Sequence, residues 1–305
     1  MIFLLAFDHR GSFQSKLLRI EGVPTRDEVA RIEEAKGIIF RGFRAALEAG
    51  LAPAGTGILV DEQFGASIAR AAEELGVVLA MPVEKSGQDE FDFEYGERFG
   101  EHIAAFDPTY AKVLVRYNVE GDAELNRRQA ARLARLGDWL HSSGRKLLFE
   151  LLVPAEPEQL ERVGGDPDRY DRELRPGLMV RAIEECQAAG VEPDVWKIEG
   201  LDAREDCVRV AEAARAGGRD EVECVVLGRG GDETKVVRWL ETGASVPGFV
   251  GFAVGRTIWW HPLEEWLAGS DADEAAAAIA GNYRRLVDAY AAAAGWHTTT
   301  RGASR

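Results

Sequence analysis

The chain has 305 residues with 37 basic and 52 acidic side chains, a formal charge of −15, and 46% of it is apolar. An acidic chain repels phosphate backbones, and no stretch clusters Lys and Arg with aromatic residues, so nucleic acid and anionic membranes are excluded as partners. No run approaches the roughly 20 apolar residues of a membrane-spanning helix.

At about 150 residues per domain the length allows two domains, whereas an α/β barrel uses about 250 as one unit, so the element pattern decides. The first apolar run, residues 2–7, lacks a basic leader and ends in Asp8-His9-Arg10, which reads as a strand and not as a signal peptide. Pro24 and the capping box Thr25-x-x-Glu28 open a helix over 26–49, closed by Gly50. There follow a strand at 57–60 and a helix at 63–75, then a strand at 77–81 and a helix at 95–106. The alternation continues with strands at 111–117, 146–153, 195–199, 222–227 and 248–254, each followed in turn by a helix at 123–142, 174–189, 203–216, 233–242 and 273–294. Eight β-branched runs alternating with helical stretches predict the α/β class and a single (β/α)8 TIM barrel. With no repeat or linker in view, the barrel is expected over residues 1–298, with 299–305 as a disordered tail. An open doubly wound sheet would need G-x-G-x-x-G after the first strand, where Asp8-His9-Arg10-Gly11-Ser12 stands instead. Cys186, Cys207 and Cys224 are odd in number, far apart and outside any C-x-x-C pair, so a disulfide framework and a zinc site are not indicated and a reducing cytoplasm is expected.

Active sites of this fold lie at the carboxyl ends of the strands. Those ends carry Asp8, His9 and Arg10; Asp61 and Glu62; Glu84 and Lys85; Arg116; Glu199; and two Gly-Arg turns, Gly228-Arg229-Gly230-Gly231 and Gly255-Arg256. Lys112, Glu150 and Lys197 lie inside apolar strands. Side chains alternate across a strand, so if these three face inward, two ammonium groups and a carboxylate meet in the upper layer of the barrel. Burying them is unfavourable unless they are paired. An internal ion-pair network that includes Glu199 would account for any single Lys–Glu pair. Only seven of the 37 basic residues are lysine, however. An electrostatic partner could be arginine, whereas a Schiff base needs a primary amine. This is the chemistry of a class I aldolase, in which an amine attacks a ketone, the iminium withdraws electrons and a carboxylate moves the protons.

The glycines after the last two strands let backbone approach a ligand, with Arg229 and Arg256 available to a phosphate in the loops where barrels commonly bind one. His102, His141 and His297 fall in or beside helices, and Trp259-Trp260-His261-Pro262 is expected to seal the barrel. With His9 as the one histidine near the site, neither a metal nor a cofactor is expected.

The ordered set Asp8-His9-Arg10-Gly11-Ser12-Phe13, Ile58-Leu59-Val60-Asp61, Glu84-Lys85-Ser86-Gly87, Lys112-Val113-Leu114, Phe149-Glu150 and Lys197-Ile198-Glu199 resembles the tagatose-1,6-bisphosphate aldolase family of class I aldolases. That family opens on D-Q-R-G-S-L. Residues 6–10, 193–200 and 251–259 look like the aldolase domain found fused behind 5-dehydro-2-deoxygluconokinase, which is associated with inositol catabolism.

The resemblance implies that Lys197 forms the Schiff base, that Glu150 transfers protons, and that Lys112 polarises the site. It also implies that Asp8 contacts substrate hydroxyls and that Arg256, with the Gly255 backbone, holds phosphate. The implied reaction is cleavage of 6-phospho-5-dehydro-2-deoxy-D-gluconate to dihydroxyacetone phosphate and malonate semialdehyde. Gly228, Arg229 and Gly230 would complete the phosphate cradle; Asp61, Arg10 and Arg116 join the substrate-binding set, the two arginines and Lys85 as candidate carboxylate partners. His9 replaces the glutamine of the tagatose family, and Trp196 stands beside the lysine, which counts against the tagatose substrate. Two other readings stay open. One is an aldolase for a related ketose phosphate, tagatose 1,6-bisphosphate or a sulfosugar phosphate; the other is a barrel that binds a phosphosugar without turning it over. Self-association is also left open.

Overall fold

Eight short strands close on one another in the computed structural model, which describes residues 1–52 and 54–295. They are β1 (Ile2–Ala6), β2 (Thr56–Leu59), β3 (Val78–Pro82), β4 (Tyr110–Arg116), β5 (Lys146–Leu152), β6 (Val195–Glu199), β7 (Glu223–Leu227) and β8 (Phe249–Val254). All neighbours pair in parallel in sequence order, and β8 returns to β1, so no strand edge is left open. The helices are α1 (Arg26–Glu48), α2 (Glu62–Glu74), α3 (Phe99–Phe106), α4 (Ala123–Ser142), α5 (Pro157–Arg162), α6 (Pro167–Glu173), α7 (Arg175–Ala188), α8 (Arg204–Arg215), α9 (Glu233–Ala244), α10 (Arg256–Leu267) and α11 (Ala272–Ala293). This is the single (β/α)8 barrel. The tail expected at 299–305 lies outside the described residues, as does His297.

The capping box at Thr25 forms as expected, with the Thr25 hydroxyl accepting from the Glu28 amide at 3.3 Å and the Glu28 carboxylate accepting from the Thr25 amide at 2.8 Å. Three helices go beyond the expected alternation. α5 and α6 fill the connection from β5 to α7, and α10 precedes α11 after β8. The first two each begin with a proline behind an acidic cap, Glu156-Pro157 and Asp166-Pro167, but at six and seven residues they are too short to show a helical period. Trp259, expected as a seal, is fully buried on α10 and donates from Nε1 to the Ala6 carbonyl at 2.9 Å.

The inside of the barrel is a small apolar plug of its own, including Leu4, Leu59, Ala80, Leu148, Val195 and Val225, separate from the larger core between sheet and helices. Inward positions repeat every second residue. Continuing upward from the plug, that period reaches Asp8, Glu84, Lys112, Glu150 and Lys197, which are all buried. β8 departs from the period, since Val250 and Ala253 both belong to the plug. A register shift against β7 absorbs the extra residue at Gly251, where φ is 151° and a Cβ would stand 1.8 Å from the Ile2 carbonyl oxygen.

Candidate active site

Above the plug opens a cavity of about 700 Å³ lined by residues from the carboxyl ends of the strands. Its floor is an ion cluster centred on Lys112, which is 1% exposed. The Lys112 ammonium donates to Asp8 Oδ2 at 2.8 Å and Glu84 Oε1 at 2.9 Å, and lies 3.0 Å from Glu150 Oε2. Lys197, from the neighbouring β6, donates to the same Glu150 oxygen at 2.9 Å. The two lysines are therefore unequal. Lys112 holds three carboxyl groups within 4 Å, and Lys197 holds one among the described residues, shared with Lys112.

Burial alone would raise the acids, but the ammonium charges oppose it. Against burial, Lys112 holds the Asp8 carboxyl well below the usual carboxylate range, and Lys112 and Lys197 hold Glu150 below its ordinary value. Burial favours a neutral Lys112, yet Asp8, Glu150 and Glu84 outweigh it and keep the ammonium charged well above its ordinary range. At Glu84 burial wins over Lys112 and Arg10 and raises the carboxyl; its second oxygen is buried with no hydrogen-bond partner. Asp8 and Glu150 thus rest as carboxylates against a fixed cation.

The remaining expected residues divide into those the cavity uses and those it does not. Arg256, at the start of α10, lines the cavity, donates only to the Arg229 carbonyl at 3.0 Å and has no carboxylate within 4 Å among the described residues. The N-terminus of α10 has no side-chain cap and is a favourable place for an anion. Gly255 lines the cavity too, but its missing side chain is required by β1: a Cβ would stand 2.3 Å from the Ala6 carbonyl oxygen. Gly228 and Gly230 lie at the same rim, and a Cβ on Gly230 (φ 71°) would stand 2.8 Å from the Arg256 guanidinium carbon. Arg116 faces the cavity from β4 and donates to the Gln88 carbonyl at 2.6 Å, with no carboxylate in reach among the described residues. Arg10 is held by the Glu84 carbonyl at 2.5 Å and by Glu94 at 3.0 Å, and Lys85 by Asp92 at 2.8 Å.

Asp61 is not brought to the cavity. It caps α2 by accepting from the Phe64 amide at 2.8 Å, and its other oxygen is taken by Lys36 of α1, both side chains being buried. Lys36 also donates to the Phe7 and His9 carbonyls at 2.8 and 3.2 Å, so the pair pins the backbone on both sides of Asp8. Arg229 reaches the rim with its guanidinium engaged, at 2.6 Å from Asp171 and 3.0 Å from Glu199. Asp171 and the buried Arg175, from α6 and α7, complete that second network and were not among the expected residues. Arg175 donates to Asp171 at 3.0 Å and to the Gly200 carbonyl at 3.0 Å. The signal that could have found them is the proline-and-acid start of α6. Among the described residues no group of three or more His, Cys, Asp or Glu side chains is disposed to hold a metal ion.

Fold and site together define a (β/α)8 barrel with a buried lysine–carboxylate floor at the carboxyl ends of its strands. The chain belongs to the family described as "uncharacterized protein conserved in bacteria (DUF2090)", which it matches over residues 1–294. A comparison with curated proteins gave no match. Among solved structures the chain is similar to fructose-bisphosphate aldolase from Plasmodium falciparum, at 13% identity and a TM-score of 0.66, over 96% of this chain and 90% of that one. It is also similar to a structure described as a Schiff base forming fructose-1,6-bisphosphate aldolase, at 14% identity and a TM-score of 0.52, over 92% and 93% of the two chains. An archaeal fructose 1,6-bisphosphate aldolase shares 15% identity at a TM-score of 0.54, over 93% and 94%. At these identities the likeness is one of fold.

Proposed function

We propose that the protein is a class I aldolase, a carbon–carbon lyase in which Lys197 forms a Schiff base with a phosphorylated ketose. The observation that carries this reading is the unequal partnering of the two lysines at one cavity floor. Lys112, enclosed by three carboxyl groups, serves as a fixed charge. Among the described residues Lys197 has only the oxygen of Glu150 that it shares with Lys112, at 2.9 Å, and it is the amine placed to attack the ketone. The names of the solved structures that share the fold support the same reaction class.

For substrate we propose 6-phospho-5-dehydro-2-deoxy-D-gluconate, from the resemblance read in the sequence. The two cavity-lining guanidinium groups that have no carboxylate within 4 Å among the described residues fit its two anionic ends, Arg256 with the α10 N-terminus for the phosphate and Arg116, across the barrel on β4, for the carboxylate. Lys197 attacks the C5 ketone and water leaves as the iminium forms. Glu150 removes the C3 hydroxyl proton, the C3–C4 bond breaks, and its electron pair enters the iminium to give an enamine. Malonate semialdehyde departs; protonation at C4 and hydrolysis then release dihydroxyacetone phosphate and restore Lys197. Asp8 faces the substrate hydroxyls. No cofactor takes part. Three free, buried cysteines fit a reducing cytoplasm, and no helix among the described residues is long and apolar enough to cross a membrane.

Borohydride reduction in the presence of this substrate, or of dihydroxyacetone phosphate alone, followed by peptide mapping, should place one adduct on Lys197 and none in Lys197→Ala. An adduct elsewhere, or none, overturns the mechanism. Cleavage rates on tagatose 1,6-bisphosphate and a sulfosugar phosphate, measured beside it, decide the substrate.

A further inference from the structure

We infer that His9 is a further catalytic residue of this site, its imidazole taking and returning the proton on the carbon beside the Schiff base; the inference rests on the aldolase reading above. His9 follows the last inward position of the first strand run and is fixed from three sides. Its backbone carbonyl accepts from Lys36 at 3.2 Å, its ring stands edge-on to the buried Trp259 at 5.4 Å and 76°, and Gly255 leaves room for it, since a Cβ there would lie 3.1 Å from His9 Cε1. What this framework presents to the cavity is the outer edge of the ring, with Nε2. Nδ1 is turned inward, buried 3.9 Å from Asp8 Oδ1 with no hydrogen-bond partner among the described residues, while the side chain as a whole is 25% exposed and lines the cavity.

The ring stands between Asp8, which Lys112 of the floor holds, and Gly255, beside Arg256, so it faces the span between the lysine floor and the cationic rim. A three-carbon phosphate bound to both would lie against it. Burial, opposed by Asp8, pulls the imidazole down to about 4, leaving it neutral with its lone pair unprotonated at pH 7. Two ammonium groups hold the Glu150 carboxyl below its ordinary value, which weakens it as a base for a carbon acid. In the condensation direction the imidazole lone pair takes a proton from the carbon beside the iminium. The C–H electron pair becomes the enamine double bond, and the iminium π pair returns to nitrogen. In cleavage the imidazolium gives that proton back to the enamine carbon, regenerating iminium and neutral imidazole.

Dihydroxyacetone phosphate alone tests the step, because bound as a Schiff base it exchanges that carbon-bound proton with D2O, read by proton NMR. We expect His9→Gln to keep borohydride trapping at Lys197 at the wild-type level and to lose exchange by roughly 10²-fold or more, and His9→Ala to regain exchange with added imidazole. Exchange unchanged in both variants with trapping intact overturns the inference and leaves the aldolase reading standing. Loss of trapping in both variants also overturns it, making His9 a positioning residue. Wild-type protein that neither traps nor exchanges the ketone overturns the aldolase reading itself.

Discussion

Replacing Lys112 by methionine tests the charge arrangement of the floor directly. The substitution removes a cation that is 1% exposed and leaves Asp8, Glu84 and Glu150, which it held at 2.8, 2.9 and 3.0 Å, facing one another. Breaking a buried pair costs about 3–5 kcal/mol, and three carboxyl groups on one ammonium, with no solvent screening to discount, put this case at the upper end. At a few degrees per kcal/mol for a domain of this size, the melting temperature should fall on the order of 10 °C. The pH dependence follows from linkage. Asp8 is held below its ordinary value of 3.8, so its contribution to wild-type stability is present above that pH and lost as the pH falls through the folded value. Without Lys112 the three carboxyl groups titrate upward, and the variant is penalised most where they are ionised. Thermal unfolding by circular dichroism from pH 4.5 to 8.5 should therefore show a deficit that is largest at pH 8.5 and narrows toward pH 4.5. A deficit below about 1 kcal/mol, or one that does not change with pH, refutes this account of the floor.

Arg256→Ala removes a charge-assisted contact worth about 1.5–3 kcal/mol, so competitive inhibition by inorganic phosphate should weaken roughly 10- to 150-fold, with melting temperature little changed; unchanged inhibition would move the phosphate elsewhere. Asp61→Asn keeps a helix cap but strands the buried Lys36 ammonium, and should lower stability by about 3–5 kcal/mol. A variant of normal stability with a raised KM would instead return Asp61 to the substrate.

Lys112, Glu150 and Lys197 were legible because a charge inside an apolar β-branched run contradicts the run, and only a shared partner or a reaction resolves the contradiction. The parity of each strand then carried the inference to one floor. Asp61 has the same outward signs as Asp8, an acid at a strand end, and what separates them is a helix away. Lys36 sits among Ile32, Ile38, Ile39 and Phe40 on the buried side of α1, and a lysine in that stripe was the available warning. The glycine neighbours of Arg229 point to a phosphate ligand; its acceptor Asp171 is 58 residues distant, on a seven-residue helix that no periodicity announces. Gly255 shows the same limit. A glycine reports that backbone comes close, and here the close backbone is β1, which only the closing of the barrel supplies.

In the proposed reaction the shared oxygen of Glu150 gives each of the two lysines a separate part. If Lys197 alone faced Glu150, giving up its proton would leave a buried carboxylate with no cation, and the loss of that pair would oppose formation of the nucleophile. With Lys112 at 3.0 Å from the same oxygen, the carboxylate keeps a charged partner while Lys197 passes through its neutral state. Lys112 is suited to that part because Asp8, Glu150 and Glu84 hold it as an ammonium through the whole working range of pH. In the proposed reaction the amine becomes an iminium and positive charge returns to the Lys197 nitrogen, 2.9 Å from Glu150 in the resting geometry. The floor is thus already arranged for the charged, electron-withdrawing form of the imine, and no dipole has to turn when it appears. An arginine in place of Lys112 could supply the charge; one in place of Lys197 could not form the bond.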